Sequence, residues 1–190
     1  MRSKRKTETI TREIAKAMGA DPAKAVEIAR KIIEIKRDRG MRVVKTVTAC
    51  EAVYIAMMRA GKYTAKREYW FFVEYNSQKL EMAQELRMLA EEGLYSEDDV
   101  FKAFAAAAKE RVDIDVEPDE IKKQVWVNMK TKVRHQSTNS RGVQALIDLF
   151  PDIPPSRICY AFGSHPGTHS YERKKQNDMV EDINEEEWNL

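Results

Sequence analysis

Between Thr46 and Met58 the sequence VTACEAVYIAMM carries a single charge, Glu51. Val47, Cys50, Tyr54 and Met57 form one helical stripe, and Ala49, Ala52, Val53 and Ala56 fill another. A helix apolar nearly all round must be wrapped by other helices, because no side of it gains from facing water. Its small alanines let those neighbours approach closely. Glu51 is either paired with a basic neighbour or marks the one exposed sliver of this helix. The segment predicts an all-α fold, a helical bundle around a central alanine-rich helix, closed near Gly61.

The flanking sequence supplies the wrapping helices. TITREIAKAMG predicts a helix capped by Thr11 with Ile14, Ala15 and Met18 inward, ended by Gly19. Asp21-Pro22 restarts a helix, since Asp accepts free backbone N–H groups and Pro is harmless in the first turn. There Ala25, Ile28, Ile32 and Ile35 share one face, with Glu27, Lys31, Glu34 and Asp38 elsewhere. YWFFVEY, residues 69–75, has strand propensity but reads as a buried helix after Thr64, because no second strand pairs with it. Residues 77–92 form a helix with Ser77 as cap and Leu80, Ala83, Leu86 and Ala90 inward, ended by Gly93. Ser96 caps the next, with Glu97, Asp98 and Asp99 in its first turn and Lys109 and Arg111 near its end, the order the helix dipole favours. Its packing residues are Val100, Phe101, Phe104, Ala105 and Ala108. A further helix starts near Pro118, with Ile121, Val125, Met129 and Val133 recurring every four residues. The alternation of Val125 and Val127 leaves a strand open there.

HQSTNSRG, residues 135–142, reads as a polar linker. After it GVQALIDLF, the turn PDIPP and SRICYAF make two short helices, Ser156 starting the second, followed by the loop GSHPGTHS. The chain therefore parses into a basic arm (1–8), a helical core (9–133), a small helical module (140–175) and an acidic tail (178–190) bearing Trp188.

Residues 10–92 resemble one cyclin-like repeat of the transcription initiation factor B family of archaea and eukaryotes. AMGADPAKAVEIARKIIE is similar to a first helix end, turn and second helix of the repeat, RDRGMRVVK to the connection before the third, VTACEAVYIAMMRAGK to the buried third helix, and NSQKLEMAQELRML to the fifth. The resemblance implies a five-helix box; in the family, two boxes grip DNA and the TATA-binding protein. The match covers about 80 of the 190 residues. Residues 94–133 lack a second copy of the alanine-rich helix, and the family's zinc ribbon has no counterpart. The implied role is that of a small DNA-binding or adaptor protein on the same box, of the sort a virus or plasmid carries.

Charge points toward a polyanion. Net charge is +2, yet residues 1–45 hold 14 Lys or Arg against 6 Asp or Glu, and residues 122–147 hold 6 Lys or Arg and no acid. From Asp178 to Leu190 there are 6 acids and no base. Basic regions favour phosphate, while the tail either mimics DNA or simply aids solubility. Two turn motifs place the bases. TREIAKAMGADPAKAVEIARK has helix-turn-helix spacing, which would bring Lys24, Arg30 and Lys31 to the major groove, although an ordinary helical hairpin gives the same pattern. In ALIDLFPDIPPSRICYAFGSH, Ser156 and Arg157 would open a recognition helix, or the unit merely caps the core. Lys130, Lys132, Arg134, Arg141, Arg173, Lys174 and Lys175 flank it, and Arg42 and Lys45 lie before the central helix. These fourteen residues are the expected DNA contacts.

Other chemistry finds less in the residues. Cys159, His165, His169 and His135 offer zinc-type donors but match no strong zinc spacing, and wet loop histidines explain His165 and His169 more simply. Catalysis is not expected, since there is no Gly-rich phosphate loop, no HExxH and no nucleophile elbow. Tyr69, Trp70, Phe71, Phe72 and Tyr75 could stack on single-stranded bases, but core packing is the simpler use. No segment approaches a membrane span, no signal-peptide pattern opens the chain, and two distant cysteines form no disulfide framework, so cytoplasmic location is expected, with no cofactor or metal. The favoured partner is double-stranded DNA, with a transcription-machinery protein beside it. The alternatives are a protein–protein adaptor and a structural virion component.

Overall fold

The computed structural model describes residues 6–64, 72, 76–131, 138–166 and 169. These are all-helical, with no strand among them. The elements are α1 (Thr7–Met18), α2 (Pro22–Asp38), α3 (Lys45–Arg59), α4 (Asn76–Glu91), α5 (Glu97–Val112), α6 (Pro118–Thr131), α7 (Thr138–Leu149) and α8 (Pro155–Ala161). The chain divides into two compact units, Met1–Ala103 and Phe104–Leu190, with α5 running through the division.

In the first unit α3 is the central helix. Every residue from Val47 to Met58 is buried, Glu51 included. Helices α1 and α2 pack on it and on each other, and α4 packs on it as well. The α1–α2 turn is local chemistry. Gly19 adopts φ 72°, and the Ala20 N–H donates to the Ala15 carbonyl, closing α1 in a Schellman-type turn. The Asp21 carboxylate then accepts from the N–H groups of Ala23 and Lys24 and opens α2. At α5, Ser96 Oγ accepts from the Asp99 N–H while Asp99 Oδ2 accepts from the Ser96 N–H, a reciprocal capping box.

In the second unit α6 packs on α7 and α7 on α8. Phe104 stacks on Phe162 at 5.1 Å between ring centroids. Gly142 sits under the Phe104 ring: a Cβ there would meet Phe104 Cζ at 2.8 Å. The Arg111 guanidinium donates to the Ala161 carbonyl, tying α5 to the end of α8.

Several expectations are corrected. Thr11 is no cap: α1 starts at Thr7, and the buried Thr11 hydroxyl donates back to the Thr7 carbonyl. Residues 125 and 127 are helical, their alternation overridden by the four-residue spacing that buries Ile121 and Val125. Residues 138–142 are not linker but the first turns of α7, because Gly142, Val143 and Leu146 have a core to face. Pro155, not Ser156, opens α8, and Asn76, not Ser77, opens α4. Leu80 and Met129 are exposed rather than inward, and so is Ala83. The inward face of α4 is instead Met82, Glu85, Leu86 and Leu89. The aromatic stretch 69–75, apart from the 3-10 turn at Phe72, lies outside the described residues.

Candidate nucleic-acid interface

The first two turns of α2 and the C-terminal end of α3 form a cleft in the first unit. It is lined by Lys24, Glu27, Ile28, Ala56, Arg59 and Ala60 and encloses about 240 Å³. Lys24 and Arg59 are exposed. Lys62, just past α3, reaches across to the α1–α2 turn, where its ammonium donates to the Gly19 carbonyl at 3.3 Å. Among the described residues none of these three cations is ion-paired to a carboxylate within 4 Å. The cleft's acid is already engaged: Glu27 pairs with Lys31 at 3.0 Å. The Lys31 hydrogen bond holds the Glu27 carboxyl below its ordinary range, with a smaller contribution from Arg59. The first unit's surface near Gly19 therefore carries three cations, Lys24, Arg59 and Lys62, against the turn's single exposed acid Asp21 and the Lys31-paired Glu27, and α2 lies beside it.

Not every expected contact belongs to that surface. Arg30 is neutralised, since its guanidinium donates to Glu8 at 2.9 Å, and that bond lowers the Glu8 pKa and raises that of Arg30. Lys31 is spent on Glu27. Helix α2 has 17 residues, about 25 Å at 1.5 Å per residue. Arg42 and Lys45 lie beyond its far end, so they are not part of the Lys24 cleft. Both are exposed. Arg39 in the same loop is paired with Glu92.

In the second unit Asn128, near the end of α6, donates to Asp148 in the last turn of α7 at 2.7 Å. Exposed Lys130 therefore sits by the C-terminal turn of α7, whereas half-buried Arg141 lies in its early turns, about 10 Å along the axis. Arg157 is exposed on α8, where it helps lower the Asp113 pKa behind the larger effect of Lys109; Ser156 is half-buried. A seven-residue α8 offers little length to a groove. Lys132, Arg134, Arg173, Lys174, Lys175, His135 and Trp188 lie outside the described residues.

The histidines part company. His165 is exposed, but His169 is fully buried, its ring nitrogens meeting Ser164 Oγ at 2.8 Å and Gln144 Oε1 at 3.3 Å. It is no wet loop residue; polar partners from α7 and the loop after α8 hold it in the core. Cys159 is also buried. Among the described residues no three His, Cys, Asp or Glu converge as metal ligands, and no helix is long and apolar enough to cross a membrane.

Two features escaped sequence reading. Arg59 and Lys62 were hidden because Arg59 meets Lys24, and Lys62 meets the Gly19 carbonyl, only once the chain is folded. The second feature is a buried ionic cluster. The Lys36 ammonium, fully buried, donates to Glu51 Oε2 at 2.8 Å and to Thr48 Oγ1 at 3.2 Å, and it ion-pairs with Glu85. The signal was present: Ala25, Ala29, Ile32 and Lys36 fall on one helical stripe, so a lysine stood at a core position facing the lone Glu51.

No family model, curated protein or solved structure matches the chain.

Proposed function

We propose that the chain binds double-stranded DNA as a transcription regulator or initiation accessory, with the first unit gripping phosphate through the end that carries the α1–α2 turn. The observation carrying this reading is the gathering of Lys24, at the start of α2, with Arg59 and Lys62, at and just past the end of α3, beside that turn. Cations brought together from separate segments, with the neighbouring carboxylate already paired, attract a polyanion because each phosphate they neutralise releases a counterion. Helix α2 is the element available to approach a groove, because α3 is buried along almost its whole length. The resemblance of residues 10–92 to a cyclin-like repeat points the same way, and one buried helix wrapped by three others is what such a box needs. Arg42, Lys45, Lys130 and Arg157 would make further, separate phosphate contacts.

The test is a titration of labelled duplex at several salt concentrations. Binding whose logarithm falls linearly with log salt is expected. Lys24→Glu with Arg59→Glu should weaken binding to all sequences at least tenfold and flatten that slope by about 2. Absence of binding to any duplex at low salt would overturn the reading.

A protein-adaptor reading has its own observation. Trp126, Val127 and Met129 on α6 are all about half exposed, an apolar patch of the kind that marks protein contacts. Trp126→Glu would abolish capture of such a partner while leaving duplex binding intact.

A further inference from the structure

The ionic cluster in the core of the first unit has an unbalanced charge count. Lys36 from α2 faces two carboxyl groups, Glu51 from α3 and Glu85 from α4. Lys36 and Glu51 are fully buried, and Glu85 is 6 % exposed. Thr48 Oγ1 accepts from the same ammonium at 3.2 Å. Among the described residues, the remaining titratable neighbours are the Cys50 thiol on α3 and the Tyr95 hydroxyl after α4, which is used up as a donor to the Leu86 carbonyl. Neither brings a positive charge. One ammonium between two carboxylates would leave a net negative charge away from water, which a protein interior strongly disfavours. Among the described residues, Glu51 Oε1 and Glu85 Oε2 are moreover buried with no hydrogen-bond partner.

We infer that Glu51 and Glu85 share one bound proton at neutral pH, so that the first unit encloses a proton-binding site made of Lys36, Glu51 and Glu85. The cluster is then neutral: one ammonium, one carboxylate, one carboxylic acid. The direction of the titration agrees. Burial, followed by the neighbouring Glu85, pushes the Glu51 carboxyl well above the ordinary glutamate range, against the opposing pull of Lys36.

A site of this kind couples folding to pH with a fixed sign. Folded protein keeps the proton above the pH at which an unfolded glutamate loses it, so over that range the native state binds one more proton. Stability of the first unit therefore falls as pH rises, from the ordinary glutamate range up to the raised value in the fold. The unfolding constant should rise about tenfold per pH unit for this one proton. This inference stands apart from DNA binding and survives its failure.

The experiment uses the full chain with ¹³C-labelled glutamate carboxyl groups. One glutamate carboxyl resonance at the neutral-acid position at pH 7 is expected, absent from Glu51→Gln or from Glu85→Gln. Finding every glutamate ionised at pH 7 overturns the proposal. This readout on the unmodified chain stands even where a variant fails to fold. Urea titrations followed at the α3 amide signals, between pH 5.5 and 7.5, supply the second measure. The tenfold-per-unit slope should flatten in Glu51→Gln, whose amide keeps the cluster neutral without a titrating proton. An equal slope in both proteins overturns the proposal as well.

Discussion

At the scale of single residues, the ion cluster and one glycine make the sharpest demands. Lys36→Met removes the only cation that the described residues place against two buried carboxyl groups. Breaking a buried pair in this way costs about 3–5 kcal/mol, so chemical unfolding at pH 7 should show a loss of that size, partly recovered on acidification because both carboxyl groups can then be neutral. Gly142→Ala drives a methyl to 2.8 Å from the Phe104 ring, which is itself stacked on Phe162. Overpacking of this kind costs about 1–3 kcal/mol, to be read from a thermal or urea melt of the second unit. These residues also show how far sequence reading reaches. Glu51 stood out as the single charge between Val47 and Met58, and a basic partner was one of the two readings open for it. The identity of the base was missed: Lys36 stands on the buried stripe of α2, but it lies 15 residues from Glu51 and only the packing of α2 on α3 pairs the two. Gly142 looked like loop for the same reason: a glycine's need for room shows only when the ring above it is in place.

Elements were easier where the chemistry is local. Asp21, Pro22 and Gly19 fixed the α1–α2 turn, and Ser96 with Asp99 fixed the start of α5, because caps are made by neighbours in sequence. Asp21→Ala should cost about 1 kcal/mol by freeing the N–H groups of Ala23 and Lys24. Circular dichroism during a melt checks it, and duplex affinity should fall as Lys24 loses its fixed place. Faces were harder. Periodicity put Leu80 inward on α4, but the helix turns Glu85 to Lys36 and carries Leu80 out to 62 % exposure. An ion pair to a distant helix outweighed one leucine, and such a choice leaves no mark in the local pattern. Helix α3 was fully legible, since a segment without a polar face has only one place to go.

For the whole molecule, the all-helical class followed from these patterns, whereas the grouping of charge did not. Among the described bases of the first unit expected to contact DNA, Arg30 and Lys31 are spent on Glu8 and Glu27, and Arg42 stands about 25 Å along α2 from Lys24. Salt therefore acts on separate contacts, and charge reversal at Arg42 should weaken duplex binding less than reversal at Lys24 with Arg59, in the same titration. The two units also differ in something the sequence disperses evenly. The chain has two cysteines, and each unit encloses one, Cys50 in the first and Cys159 in the second. Burial pushes the Cys50 thiol up to about 12, so it is inert while its helix stays enclosed. An alkylating reagent added to the intact protein thus runs two stopwatches, one for each half of the chain. Lys36→Met should speed the Cys50 clock and leave that of Cys159 alone, and Gly142→Ala should do the reverse.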